Sequence, residues 1–118
     1  MNYDNQKVIT RHGLSVRSGI ERTIAEFLTD NNIAFEYERT LVLDGKEIHP
    51  DFYLLDIDIY LEHWGCDDPS YVESRRWKEN LYKKHNVKYI STEKSDVNNI
   101  YYKLKIELSK FMDKTDWK

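Results

Sequence analysis

Cysteine is almost missing from this sequence. Cys66 stands alone, so no internal disulfide can form and a cysteine-based zinc cluster is excluded. A single free thiol fits a reducing compartment, and the chain is expected in the cytoplasm. Two prolines and four glycines in 118 residues leave little room for linkers or disorder. No apolar run approaches the roughly 20 residues needed to cross a bilayer, and the polar N-terminus lacks a signal-peptide pattern, so no membrane association is expected. His12, His49, His63 and His85 fall at no metal-ligand spacing. No serine sits in a nucleophile-elbow pattern and no glycine-rich phosphate loop is present, which removes most competing enzyme classes. Positive charge is not in excess either. The net charge of −3 speaks against nucleic acid, but weakly, because an acidic cluster lowers the total while a basic face survives elsewhere.

What remains has the size and patterning of a single α/β domain over residues 16–118, preceded by a polar arm over 1–15. A helix begins near Ser18, with Ile20, Ile24, Phe27 and Leu28 at helical spacing, and stops at Asp30, Asn31 and Asn32. Residues 33–43 read as a half-buried strand in which Phe35 and Tyr37 alternate with Glu36 and Glu38. Asp44 and Gly45 signal a hairpin, the returning strand runs over 47–55, and after a turn at Asp56 a third strand covers 57–64. Asp68 suits an N-cap and Pro69 the first position of a second helix reaching Lys84 or His85. A fourth strand over 87–91 follows. A last helix starts near Ser95 and Asp96, with Val97, Ile100, Leu104, Leu108 and Phe111 at helical intervals. The expected order is helix, three-strand meander, helix, strand and C-terminal helix, around a mixed central sheet.

Two acids stand out in HPDFYLLDIDIYLEHWG at 49–65, where Asp51 and Glu62 are set into an apolar run. A buried carboxylate is costly unless it is paired, protonated or bound to a cation. On adjacent strands of a meander their side chains can converge. Held close they repel, unless a divalent ion lies between them. Oxygen ligands of this kind favour Mg²⁺, with Mn²⁺ as the alternative. The plain reading is a turn contact for Asp51 and a salt bridge for Glu62. Glu21 is equally open: with Ser18 it forms the Ser-x-x-Glu of a capping box, yet the first turn of that helix also reaches toward the hairpin.

On the second helix Tyr71, Arg75, Lys78 and Tyr82 follow i, i+4, i+7, i+11 and share a face. Basic residues interleaved with tyrosines suit a surface that tracks phosphates and stacks bases. The alternative is a solvated helix whose long side chains lie over Trp77 and Leu81.

Taken in order, VRSGIE at 16–21, FEYE at 35–38, PDF at 50–52 and LEHWG at 61–65 resemble the PD-(D/E)xK, or restriction-endonuclease-like, nuclease superfamily. The sequence is most similar to small nuclease-like domains attached to bacterial DNA helicases, over roughly residues 14–92. The resemblance implies that Asp51 and Glu62 ligate Mg²⁺, that Glu21 completes the site, and that the backbone carbonyl of His63 adds a ligand. It implies phosphodiester hydrolysis. The superfamily lysine, two residues after the strand acid, is here Trp64, and an indole cannot do what an ammonium does. Lys78 is the expected substitute, with Arg75 second. Arg17, Arg75, Tyr71 and Tyr82 are the expected substrate contacts.

The resulting expectation is a metal-dependent nuclease acting on DNA rather than RNA, as a homodimer or with a helicase or other protein partner. The C-terminal helix, with Tyr101, Tyr102 and Phe111, would offer the dimer face. Its first rival is a catalytically inactive nucleic-acid-binding module of the same fold. The second is an interaction protein whose acids only cap and bridge.

Overall fold

The computed structural model describes residues 7–118. Along the chain, β1 (Val8–Ile9) and β2 (Ser15–Val16) precede α1 (Gly19–Asp30). Then come β3 (Phe35–Tyr37), β4 (Leu41–Leu43), β5 (Lys46–Ile48), β6 (Phe52–Leu54) and β7 (Ile59–Trp64). The helix α2 (Pro69–Lys84), β8 (Tyr89–Glu93), a 3-10 helix (Lys94–Asn99) and α3 (Ile100–Leu108) complete it. The central sheet has the order β3-β6-β7-β8, antiparallel except for the β7–β8 pair. A parallel pair needs a crossover, and α2 supplies it.

Alternation along the strands sends one set of side chains to each face. Phe52, Leu54, Ile59 and Leu61 pack with Ile24, Phe27 and Leu28 of α1 and Leu104 and Leu108 of α3. Glu62 turns the other way, toward α2, where Tyr82 meets it. Helices therefore cover both faces, and each fully buried Leu or Phe is worth about 1.5–3 kcal/mol.

The expected strand over 33–43 is broken. Glu38 adopts a left-handed conformation, φ 54°, which turns the chain out of the sheet after Tyr37. The β4–β5 hairpin then forms its own two-stranded ribbon about Asp44 and Gly45, both at positive φ as a tight hairpin turn requires. It buries Leu43 and Ile48 against Leu81 and Tyr82 of α2. The meander thus survives as β3, β6 and β7, with the ribbon inserted between its first two strands.

Other boundaries move by a residue or two. The third meander strand starts at Ile59, because Asp58, at φ 52°, accepts from the Tyr53 hydroxyl at 2.7 Å within the preceding turn. Val87 closes the end of α2 through Tyr82 O at 2.8 Å, so the last strand begins at Tyr89. The final helix divides at Asn99. Residues 1–6 of the expected N-terminal arm lie outside the described residues. The described part is paired rather than loose, with Val8 against Val16 and Ile9 against Ser15. Arg11 binds Glu26 and Asp30 of α1, the latter at 2.6 Å. That small hairpin leads directly into Arg17.

Candidate functional site

Local backbone geometry brings the acids together. Asp51 stands just before β6, beyond the last ladder pair, Phe52↔Leu61. There its backbone N–H donates to Glu62 Oε1 at 3.0 Å. The His63 N–H in turn donates to Asp51 Oδ2 at 2.7 Å. Each carboxylate thus takes the place of a backbone acceptor where the strands part, so neither can rotate away without leaving a buried N–H unpaired. Glu62 is 1% exposed and Asp51 8%. On its other oxygen Glu62 accepts from the Tyr82 hydroxyl at 2.7 Å, with Lys78 Nζ 3.6 Å away.

Glu21 approaches from the start of α1. Ser18 caps that helix by accepting from the Glu21 N–H at 3.2 Å. The reciprocal half of the capping box is absent. The Glu21 carboxylate accepts instead from the Arg17 N–H at 3.1 Å and from the Tyr37 hydroxyl, drawn one residue past the cap toward the acids.

Arg17 links the cluster. Its Nη2 lies 2.7 Å from Glu38 and 3.8 Å from both Glu21 Oε2 and Asp51 Oδ1. Four carboxylates, Glu21, Glu38, Asp51 and Glu62, therefore face two cations, Arg17 and Lys78. Fully ionised, the cluster carries two uncompensated negative charges. Burial, then the nearby Glu62, pushes the Asp51 carboxyl up to about 7, against the opposing His63 hydrogen bond. Burial next to Glu62 also raises the Tyr82 phenol, which stays a donor.

The donor set fits a hard divalent cation: carboxylate oxygens, with no thiolate among them. The His63 imidazole is turned to Thr92 Oγ1 at 2.7 Å, and burial lowers its pKa. Among the described residues, however, no three His, Cys, Asp or Glu groups stand together as a ready-made ion site. Asp51 and Glu62 are adjacent, and the Arg17 guanidinium stands between Asp51 and Glu21.

The face of α2 that carries Tyr71, Arg75, Lys78 and Tyr82 turns largely inward rather than to solvent. Tyr82 is fully buried beneath Glu62 and cannot stack on a substrate, which corrects the expected contact. Helical spacing identified the face, and the apolar β4–β5 ribbon beneath it decided its direction. Arg75 is committed elsewhere, to Glu93 at 2.7 Å and Glu79 at 3.3 Å, and is not brought to the acids. Tyr71 is half-buried with its hydroxyl at the Gly65 N–H, and burial raises its pKa. Trp64, where the superfamily lysine would stand, is 4% exposed, and its Nε1 has no partner. Its indole lies under Arg75 at 5.2 Å and Lys78 at 5.8 Å, within the range in which a ring face attracts a cation. The indole thus helps hold the Lys78 ammonium beside Glu62.

A cleft of about 630 Å³ opens beside the acids, lined by Arg17, Glu38, Thr40, His49, Trp77 and Lys78 among others. Trp77 is 43% exposed there. Only the alternative reading of α2 covered Trp77 with long side chains, and Tyr37 and Glu38 were not expected as site residues; the left-handed Glu38 gives no signal in an alternating strand pattern. On the far side, Tyr101, Tyr102 and Phe111 are exposed on and just after α3. No helix among the described residues is long and apolar enough to cross a membrane.

Neither a family model nor a curated protein matches the chain. Among solved structures it is similar to the catalytic domain of the homing endonuclease I-Bth0305I, with 23% sequence identity and a TM-score of 0.55. The likeness spans 80% of this chain and 93% of that one. At that identity what the two share is the fold: a mixed sheet between helices, of the kind that nuclease domain uses.

Proposed function

We propose that this chain is a metal-dependent nuclease that hydrolyses phosphodiester bonds, DNA in preference to RNA. The observation that carries the reading is the buried Asp51–Glu62 pair, interlocked through the Asp51 and His63 N–H groups, with the Lys78 ammonium 3.6 Å from Glu62. The PD-(D/E)xK-like motifs and the fold shared with an endonuclease catalytic domain support it.

Asp51, Glu62 and Glu21, with the His63 carbonyl, are the oxygens that would hold Mg²⁺ or Mn²⁺. Such an ion supplies an activated water and neutralises charge on the phosphate. The residues around it do the rest. Tyr82 and the Asp51 N–H hold the two Glu62 oxygens in place, and the His63 N–H holds Asp51. Lys78, steadied over Trp64, presents a proton donor and a positive charge at the cleft wall, where a phosphate oxygen or water can be oriented. Trp77 offers a stacking face to an exposed base.

The test is cleavage of supercoiled plasmid and labelled single-stranded DNA in Mg²⁺ or Mn²⁺ by the wild type, Asp51→Ala and Lys78→Ala. Cleavage lost in both variants is the expected result. Cleavage that survives Asp51→Ala would overturn the reading. Binding without cleavage by the wild type would favour the inactive nucleic-acid-binding module.

A further inference from the structure

Arg17 is held unevenly. One of its nitrogens sits 2.7 Å from Glu38 but 3.8 Å from Glu21 and from Asp51. The close contact is an anchor, whereas the two longer ones place a positive charge between two buried acids that would otherwise repel. Its side chain is 49% exposed and lines the open cleft, so it has solvent to move into. The neighbouring backbone is fixed independently, since the Arg17 N–H is already satisfied by Glu21 and Tyr37. The guanidinium can swing without disturbing the start of α1.

From this geometry we infer that Arg17 is a displaceable counter-ion: it stands in for the cation between Glu21 and Asp51, and swings toward the cleft about its existing Glu38 contact when a divalent ion enters. The inference rests on the metal-binding reading of the same acids. With Arg17 in place, Glu21 and Asp51 are bridged by a guanidinium. With Arg17 swung aside, the gap between them is free for a cation, and Glu38 keeps the displaced charge paired. The cation must compete with a tethered one, so apparent metal affinity is set partly by Arg17. Freed toward the cleft, the guanidinium faces the side from which a phosphate would arrive, and its fork suits phosphate oxygens.

The experiment compares the full wild-type chain with Arg17→Met and Glu38→Gln by Mn²⁺ titration calorimetry and by melting in EDTA and in saturating Mn²⁺. Arg17→Met is expected to bind Mn²⁺ about tenfold more tightly, because a unit charge near the site is gone, the gain being limited by solvent screening. It should melt lower than wild type in EDTA, and Mn²⁺ should raise its melting temperature more than it raises that of wild type. Glu38→Gln removes that pivot and should bind Mn²⁺ about threefold more weakly; this second variant decides the matter if Arg17→Met fails to fold. Wild-type binding with unchanged affinity in both variants would overturn the counter-ion role and leave the metal site standing. Absence of Mn²⁺ binding in every form would overturn the metal reading and this inference together.

Discussion

Asp44 and Asp51 are aspartates on one stretch of chain, each beside basic side chains, and their surroundings push them in opposite directions. Asp44, at the tip of the β4–β5 ribbon, accepts from Lys84 at 2.7 Å and from His85 at 2.8 Å. Those two hydrogen bonds hold its carboxyl below the usual range, and all three groups face water. Asp51 has Arg17 at 3.8 Å and a backbone N–H at 2.7 Å, yet burial and Glu62 push it up to about 7. The ribbon tip closes its own charge and pins the hairpin to the end of α2. The acidic cluster leaves charge open, at a cost in folding free energy. An uncompensated buried cluster beside a cleft is a reason to look for a ligand.

Exchanging corresponding lysines breaks the comparison most sharply. Lys78 and Lys84 both lie on α2 and both approach a carboxylate, Lys78 at 3.6 Å and Lys84 at 2.7 Å. Distance alone would make Lys84 the more important. Lys78→Met is expected to reduce the cleavage rate on the order of 10²–10³-fold, the scale of losing one preorganised charge at a reacting phosphate. Lys84→Met should leave the rate within about twofold, since its pair is solvated and remote from the cleft. Equal rates for the two variants would remove Lys78 from the mechanism.

Next in size is the support beneath Glu62. Tyr82→Phe removes a donor from a carboxylate that is 1% exposed. Leaving a buried acceptor short of a partner costs roughly 1–3 kcal/mol. The melting temperature should fall accordingly, by several degrees in a chain of this length. Unfolding curves for the two proteins in EDTA check this, and coincident curves would mean that the phenol is not holding the acid.

How far the sequence carried depended on the distance over which each feature is encoded. The pair Asp51 and Glu62 was legible because Pro50 and strand alternation place both acids within one short hairpin segment. Glu21 was legible as a cap, but its carboxylate bypasses Ser18 for the Arg17 N–H next to the cap and for Tyr37, which a strand distant in sequence supplies. Lys78 was expected from the nuclease resemblance, as the substitute for the lysine missing at Trp64 on the helix that follows the third meander strand, and it stands 3.6 Å from Glu62. Helical spacing misplaced Tyr82, because periodicity identifies a face and not what covers it. Trp64 was recognised as a departure from the nuclease pattern. That it forms a floor under Lys78 and Arg75 needed the packing of α2 on the sheet. The break at Glu38 was hidden in a sequence that alternates as a strand should, yet it both ejects the ribbon and aims a carboxylate at Arg17.

The opposed pKa directions make the comparison measurable without any substrate. Asp51 is raised from an ordinary 3.8 to about 7. Below pH 4 its carboxyl is protonated whether the chain is folded or not. As pH rises toward 7 the unfolded chain gives up the proton first, and stability is lost. In EDTA, the wild type should therefore lose stability between pH 4 and 7. Asp51→Asn should remove that portion of the loss, matching wild type near pH 4 and exceeding it at pH 8 by at most about 4 kcal/mol, roughly three pKa units at about 1.4 kcal/mol each. The same variant should no longer bind Mn²⁺, a gain in stability at the expense of function. An unchanged pH profile would mean that the pair is relieved by something other than a proton.

Asp44→Asn should give the smallest change and the opposite profile. The Asp44 carboxyl is held below its ordinary 3.8, so its contribution is fully present above that value and disappears only as pH falls through the lower folded value. Between pH 5 and 8 the Asp44 carboxyl itself therefore adds no slope of the kind Asp51 produces, and any slope that separates wild type from Asp44→Asn there comes from His85, whose contact with Asp44 is an ion pair only when the imidazole is protonated. Asparagine tolerates the φ of 52° at this position as well as aspartate does, so backbone strain does not enter. What is lost is a pair of solvated contacts, worth a melting shift of about 2 °C or less that shrinks further in 0.5 M salt. A larger shift, or one that persists in salt, would show that the ribbon is held to α2 chiefly by this exposed cluster. It would then not be held chiefly by Leu43 and Ile48 packed on Leu81 and Tyr82.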